Sequence, residues 1–243
     1  VKFTYRLAWE RGTGPCGYGC SETDIGRTGH SSSSMLSDLH WTCSIGCGNS
    51  PVKIGGINYT LTSLSQHSNG WEQGEGFFMY ELKDHDQYSV ILENIPWTLS
   101  NGSTASSLGI MKTVVDLSIR GDTRKPNGSP YASLPSIIGI QYNCSTTIKL
   151  PVNDPDGDLI RCRLADTDEC GAGCSNVPSN TIILDQENCT LTVSASASTL
   201  YIKDLKYHLT LVMEDFPRYF LDFGGRNLTS RNRISAVPLQ VSR

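Results

Sequence analysis

The stretch Cys144–Ala165, CSTTIKLPVNDPDGDLIRCRLA, has two alternating runs on either side of an acidic turn. Every second residue from 146 to 152 is apolar or a threonine, and this period of two is typical of a half-buried strand. The turn NDPDGD at 153–158 interrupts the pattern, because its proline fixes φ, its glycine tolerates positive φ and its aspartates bond nearby backbone amides. Alternation resumes over 159–164. The stretch predicts two strands joined as a β-hairpin.

The rest of the chain repeats this pattern of short alternating runs and turns, and no segment has convincing helical periodicity over more than two turns. A stretch without apolar pattern, Gly121–Pro135 (GDTRKPNGSPYASLP), is typical of a linker. With 243 residues the chain can form two ordinary domains. We therefore predict an all-β protein of two tandem β-sandwich, immunoglobulin-like domains with long disulfide-stapled loops. The predicted bounds are 1–122 for a β-sandwich-like domain, 123–135 for the linker and 136–243 for the second domain.

The acidic turn, the cysteines after it and the closing run Arg231–Arg243 (RNRISAVPLQVSR) resemble immunoglobulin-like or cadherin-like modules of large extracellular glycoproteins. The resemblance covers the C-terminal half of the chain. It implies a β-sandwich fold and an adhesive or structural role, and it implies no catalytic residues.

Nine cysteines and six Asn-x-Ser/Thr sequons in one turn-rich chain predict a secreted, extracellular protein with N-linked glycans. A net charge of -4 gives no broad attraction to nucleic acid or anionic lipid. No apolar run approaches the roughly 18 residues of a membrane span. We thus expect no nucleic-acid partner and no membrane span. The predicted glycan acceptors are Asn58, Asn101, Asn127, Asn143, Asn188 and Asn227.

The cysteines form three C-x3-C pairs and three single positions. The first two pairs could bind zinc through four thiolates, but beside the sequons two disulfides are favoured, with pairing expected between the two pairs rather than within each. Because nine is odd, one cysteine is free or links domains or subunits. The predicted disulfide cysteines are Cys16, Cys20, Cys43, Cys47, Cys162, Cys170, Cys174 and Cys189.

The acidic turn is also a candidate cation site. Asp154, Asp156 and Asp158 could offer oxygens to calcium, although the full EF-hand spacing is missing. The alternative is a turn stabilised by its own side-chain to backbone bonds. No catalytic motif with a nucleophile and a base is found, so we expect no enzyme activity and no other cofactor.

The first nine residues form an amphipathic strand with Val1, Phe3, Tyr5, Leu7 and Trp9 on one face. Such a strand either pairs within its own domain or completes the sheet of another subunit. We interpret the chain as a structural protein that assembles head-to-tail into an extracellular filament. In this interpretation the N-terminal strand is the donor, and an edge of the second domain accepts it. The alternative function is an adhesion or ligand-binding ectodomain fragment of a larger cell-surface receptor.

Overall fold

The computed structural model describes residues 1–17, 19–30, 39–48, 51–65, 70–82, 87–95, 109–134, 138–172, 174, 177, 181–194 and 207–242. Within these ranges the chain is predominantly β, with several antiparallel sheets, and this confirms the predicted all-β class. The chain divides into two compact units, Val1–Lys83 and Asp84–Arg243.

The strands of unit 1 are β1 Lys2–Glu10, β2 Thr28–His30, β3 His40–Ile45, β4 Val52–Gly56, β5 Asn58–Leu64 and β6 Trp71–Met79, and a 3-10 turn lies at Glu22–Asp24. Four of these strands form an antiparallel sheet in the order β1-β6-β5-β2. A further pair, β3 with β4, is also antiparallel.

The apolar face of β1 packs inside unit 1, as its alternating sequence predicts. Leu7 and Trp9 are buried, whereas the even-numbered residues of β1 are exposed. Nearer the start of the strand, the ring of Phe3 stacks on Phe78 with the centroids 4.9 Å apart. Tyr5 lies 5.5 Å from the ring of Trp41. Aromatic contacts of this kind make β1 an integral part of the unit 1 interior.

The strands of unit 2 are β7 Gln87–Ile95, β8 Gly109–Asp116, β9 Tyr131–Ala132, β10 Thr146–Lys149, β11 Val152–Asn153, β12 Leu159–Leu164, β13 Ile182–Asp185, β14 Thr190–Val193, β15 His208–Phe216, β16 Leu221–Phe223, β17 Arg226–Leu228 and β18 Ala236–Ser242, with a short helix α1 at Thr167–Cys170. Five of these strands form an antiparallel succession in the order β12-β15-β18-β8-β7, and three form a sheet in the order β10-β14-β13. Two short antiparallel pairs, β11 with β9 and β16 with β17, are also present.

The core of unit 2 lies where the two larger sheets face each other, a packing typical of a β-sandwich. Leu191 from β14 and Leu211 from β15 belong to one buried cluster. The disulfide between Cys162 and Cys189 lies in the same cluster and joins the two layers. The sandwich-like packing supports the predicted class, while an immunoglobulin-like arrangement of two domains stays a prediction.

The predicted hairpin across the acidic turn is wrong. Both strands form, but β10 pairs with β14 and β12 pairs with β15. The turn therefore carries the chain from one sheet to the other. Alternation in sequence indicates which residues face a core, but it contains no information on which strand is the hydrogen-bonding neighbour.

The two compact units do not coincide with the predicted domains. Residues 84–122 belong to unit 2, where Val114 of β8 pairs with Ala236 of β18. On either side of the predicted linker, Arg120 and Asp158 form an ion pair. The polar, proline-rich stretch that predicted a linker at 123–135 includes Asn127, whose side chain forms hydrogen bonds with Arg120 and Asp215.

Candidate functional site

The acidic turn between β11 and β12 is held by its own aspartates. Asp154 Oδ1 accepts the backbone N–H groups of Asp156 at 2.9 Å and Asp158 at 3.0 Å. Gly157 has a φ of 78°, a conformation that favours glycine. These bonds are the ones that aspartate-rich turns use. They leave the second oxygen of Asp154, Oδ2, buried and without a hydrogen-bond partner.

A buried arginine lies against this turn. Arg120, only 2% exposed, donates to both carboxylate oxygens of Asp158, at 2.5 and 3.1 Å. It also donates twice to Asp122, at 3.0 and 2.9 Å, and once to the amide oxygen of Asn127 at 2.6 Å. This fork geometry is the strong form of an arginine–carboxylate contact. No pattern in the sequence indicated this role of Arg120, because its partner Asp158 is 38 residues away.

The third part of the site comes from the end of β15. Asp215 is fully buried. Its Oδ2 accepts the side-chain N–H of Asn127 at 2.6 Å, and its Oδ1 accepts the backbone N–H and the hydroxyl of Ser235 at 2.6 and 2.7 Å. Its neighbour Glu214 instead forms ion pairs with Arg163 and Arg233. The two adjacent acids differ in role because successive side chains of a strand point to opposite faces.

The electrostatics of the site follow from burial. Burial raises the pKa of Asp154 to about 6; the nearby Asp215 and Asp158 carboxylates add to the effect, and bonds from backbone N–H groups oppose it. Burial also raises the pKa of Asp215, against the opposing hydrogen bonds from Asn127 and Ser235. In contrast, the hydrogen bonds from Arg120 lower the pKa of Asp122.

The set of acids brought together differs from the predicted one. Carboxylate oxygens of Asp154, Asp158 and Asp215 lie within 4.8 Å of one another, and all three residues are buried. Asp156 is not in this group, since its Oδ2 accepts the backbone N–H of Gly128 at 2.7 Å. Two of the three predicted residues are therefore in the cluster. Asp215 joins them through the fold, from 57 residues beyond Asp158 in the sequence.

All eight predicted cysteines form disulfides, but the expected pairing between the first two C-x3-C pairs is wrong. The bonds are Cys16–Cys20, Cys43–Cys47, Cys162–Cys189 and Cys170–Cys174, and the exposed Cys144 is free. A local reason is visible at the first pair. Backbone bonds from Gly17 to Gly14 and from Cys20 to Gly17 form two successive turns. They bring the two Cα atoms to 5.5 Å, within the usual range for a disulfide.

Five of the six predicted glycan acceptors lie in described residues, and Asn101 lies outside them. Four are exposed: Asn58, Asn143, Asn188 and Asn227. Asn127 differs, because it is half-buried and its side-chain nitrogen donates to Asp215. A glycan on that nitrogen would compete for space with the contact, so Asn127 is the least suitable acceptor of the five.

The predicted assembly strand, β1, pairs with a strand of its own unit. Every residue of β1 from Lys2 to Glu10 has a partner in β6, and the strand is the last one in its sheet. This is the first of the two alternatives for β1, pairing within its own unit. Donation of β1 to another molecule would require it to leave β6, and the donor role stays a prediction.

No protein-family model matches this chain, and no curated protein matches it either. In the described part of the chain, no helix has the length and apolar character needed to cross a membrane. The four disulfides are typical of a protein that folds outside the reducing cytosol.

Proposed function

We propose that the protein is an extracellular structural building block that self-associates by β-strand addition at β1. The observation that carries the proposal is the place of β1 at the end of its sheet. A terminal strand has backbone donors and acceptors on one side that are available to a further strand. A contact between this edge and a different edge of the next copy is heterologous, so it propagates unless the rotation closes a ring.

The hydrogen-bond pattern identifies which positions of β1 face outward. Val1 and Tyr80 exchange both backbone bonds, and Arg11 donates to Gly70 further along. Because an antiparallel ladder alternates, the odd-numbered residues of β1 bond to β6. Thr4 and Ala8 lie at the alternate positions, so their amide and carbonyl groups point away from β6. These outward groups would form the assembly contact, with a terminal strand of unit 2 as the acceptor.

The alternation of residues that face toward and away from β6 gives a direct test of the proposal. Ala8→Pro removes one outward N–H and leaves every bond between β1 and β6 in place. Ala8→Ser is the matched control, since it changes the same exposed side chain and keeps the N–H. We expect wild type and Ala8→Ser to form filaments in negative-stain images, and Ala8→Pro to stay monomeric with a similar thermal midpoint. A wild type that is monomeric at every concentration, or filaments in Ala8→Pro equal to those of wild type, would refute the proposal.

A second variant separates addition at the edge from exchange of β1. Thr4 and Phe77 are exposed partners across β1 and β6. A disulfide between Thr4→Cys and Phe77→Cys, in a Cys144→Ser background, would hold β1 covalently against β6. Filaments that persist after locking indicate addition to the outer edge. Filaments that form only after reduction of the added bond indicate the donor exchange predicted from the sequence. The adhesion alternative predicts monomers in all of these variants.

A further inference from the structure

The acidic cluster of unit 2 contains more negative charge than its surroundings compensate. Asp154 is 8% exposed, Asp158 is 6% exposed and Asp215 is fully buried. Their carboxylate oxygens lie within 4.8 Å of one another. Ionised carboxylates this close and this far from water are costly unless a cation or a proton accompanies them.

Of the three carboxylates, the guanidinium of Arg120 compensates the negative charge of Asp158 only. Its donors go to Asp158, Asp122 and Asn127. Among the described residues no ion pair reaches Asp154 or Asp215. The hydrogen bonds that these two receive come from neutral groups: backbone amides for Asp154, and Asn127 and Ser235 for Asp215.

The unpartnered oxygen of Asp154 is independent evidence for a ligand. Asp154 Oδ2 is buried and accepts no hydrogen bond, although Oδ1 of the same carboxylate accepts two. A buried polar atom without a partner is rare in folded proteins and calls for an explanation. A cation coordinated by this oxygen would supply the missing interaction.

We propose that Asp154, Asp158 and Asp215 form a binding site for a divalent cation, with calcium as the preferred ion. All three ligands are carboxylate oxygens, the ligand type that calcium prefers. Calcium also accepts irregular geometry and six to eight oxygens, so that water can complete the shell. Asp158 would share its carboxylate between the cation and Arg120.

Such a cation would connect parts of the chain that are far apart in sequence. It would bind the turn before β12 through Asp154 and Asp158, and the end of β15 through Asp215. These are the two neighbouring strands at one side of the five-strand succession. Since a ligand that binds only the folded state stabilises it, calcium would raise the stability of unit 2.

The test uses the full chain, treated with EDTA and dialysed, and calcium chloride as the probe. Isothermal titration calorimetry should give one calcium ion per chain, and differential scanning calorimetry should show a higher Tm in millimolar calcium. Asp154→Asn keeps an oxygen for the backbone bonds and replaces Oδ2 by an amide. It should weaken calcium binding at least about tenfold, since even outer-shell partners of a metal are worth about 10- to 100-fold in affinity.

Asp185→Asn is the matched control, because Asp185 is an exposed acid of unit 2 outside the cluster. It should bind calcium as wild type does. If wild type gives neither heat nor a change in Tm in millimolar calcium, or if Asp154→Asn binds as tightly as Asp185→Asn, the proposal is overturned. Failure of filament assembly would not affect this result, since β1 belongs to unit 1.

Discussion

Removal of the Cys162–Cys189 disulfide should weaken unit 2 more than removal of the Cys170–Cys174 disulfide. Both bonds lie in unit 2, but they close loops of very different size, with sequence separations of 27 and 4. By the chain-entropy relation, the first bond contributes about 3.5 kcal/mol to the free energy of unfolding and the second about 2 kcal/mol. The larger loop therefore predicts a difference of about 1.5 kcal/mol.

Burial acts in the same direction at one cysteine of each bond, since Cys170 is also buried but Cys174 is only half-buried. Cys162 and Cys189 are 0% and 1% exposed and pack in the cluster with Leu191 and Leu211. Replacing both by alanine removes buried sulfur atoms as well as the covalent bond, and cavities of this kind add to the loss. The estimate from loop entropy is thus a lower bound for the double alanine variant.

Hydrogen exchange of β15, measured by mass spectrometry across a urea series, reports the stability of unit 2 directly, because β15 lies inside it. The Cys162→Ala, Cys189→Ala protein should lose protection at lower urea than the Cys170→Ala, Cys174→Ala protein. Equal loss in the two double variants, or a greater loss in the second, would show that the bond between the two sheets is not the stronger constraint and would refute the reasoning.

Three further predictions concern single side chains. Arg120→Met leaves the buried Asp158 carboxylate without its guanidinium partner. It should lower the free energy of unfolding in urea by about 3 to 5 kcal/mol, and a loss below about 1 kcal/mol would contradict this. Burial alone would raise the pKa of Glu169, but the hydrogen bonds from Arg163 lower it below its ordinary value. The stability that this pair contributes is present above the pKa of Glu169 in the unfolded chain, and it is lost as the pH falls through the pKa of Glu169 in the folded protein. Arg163→Met should therefore move acid unfolding, followed by circular dichroism, to higher pH, and an unchanged midpoint would disprove the assignment. Cys144 is exposed and free, so non-reduced native protein should take up one maleimide per chain by mass spectrometry, whereas labelling of several sites would contradict the four disulfides.

The sequence determined the local structure with some accuracy. The alternation in residues 1–9 and 159–164 predicted strands that the structure places at Lys2–Glu10 and Leu159–Leu164. The acidic turn between β11 and β12 was also evident, because its proline, glycine and aspartates act within a few residues of one another. Such features depend on contacts close along the chain, and these can be recognised without a fold.

The partners of these elements were decided only by the tertiary structure. The same alternation is compatible with many strand orders, so it could not reveal that β10 and β12 lie in different sheets or that β1 pairs with β6. The acidic site shows the same limit: Asp154 and Asp158 are four residues apart, but Arg120 and Asp215 reach them only after the chain has folded. Periodicity determines which way a side chain faces, whereas the neighbours it meets depend on long-range packing that no short stretch encodes.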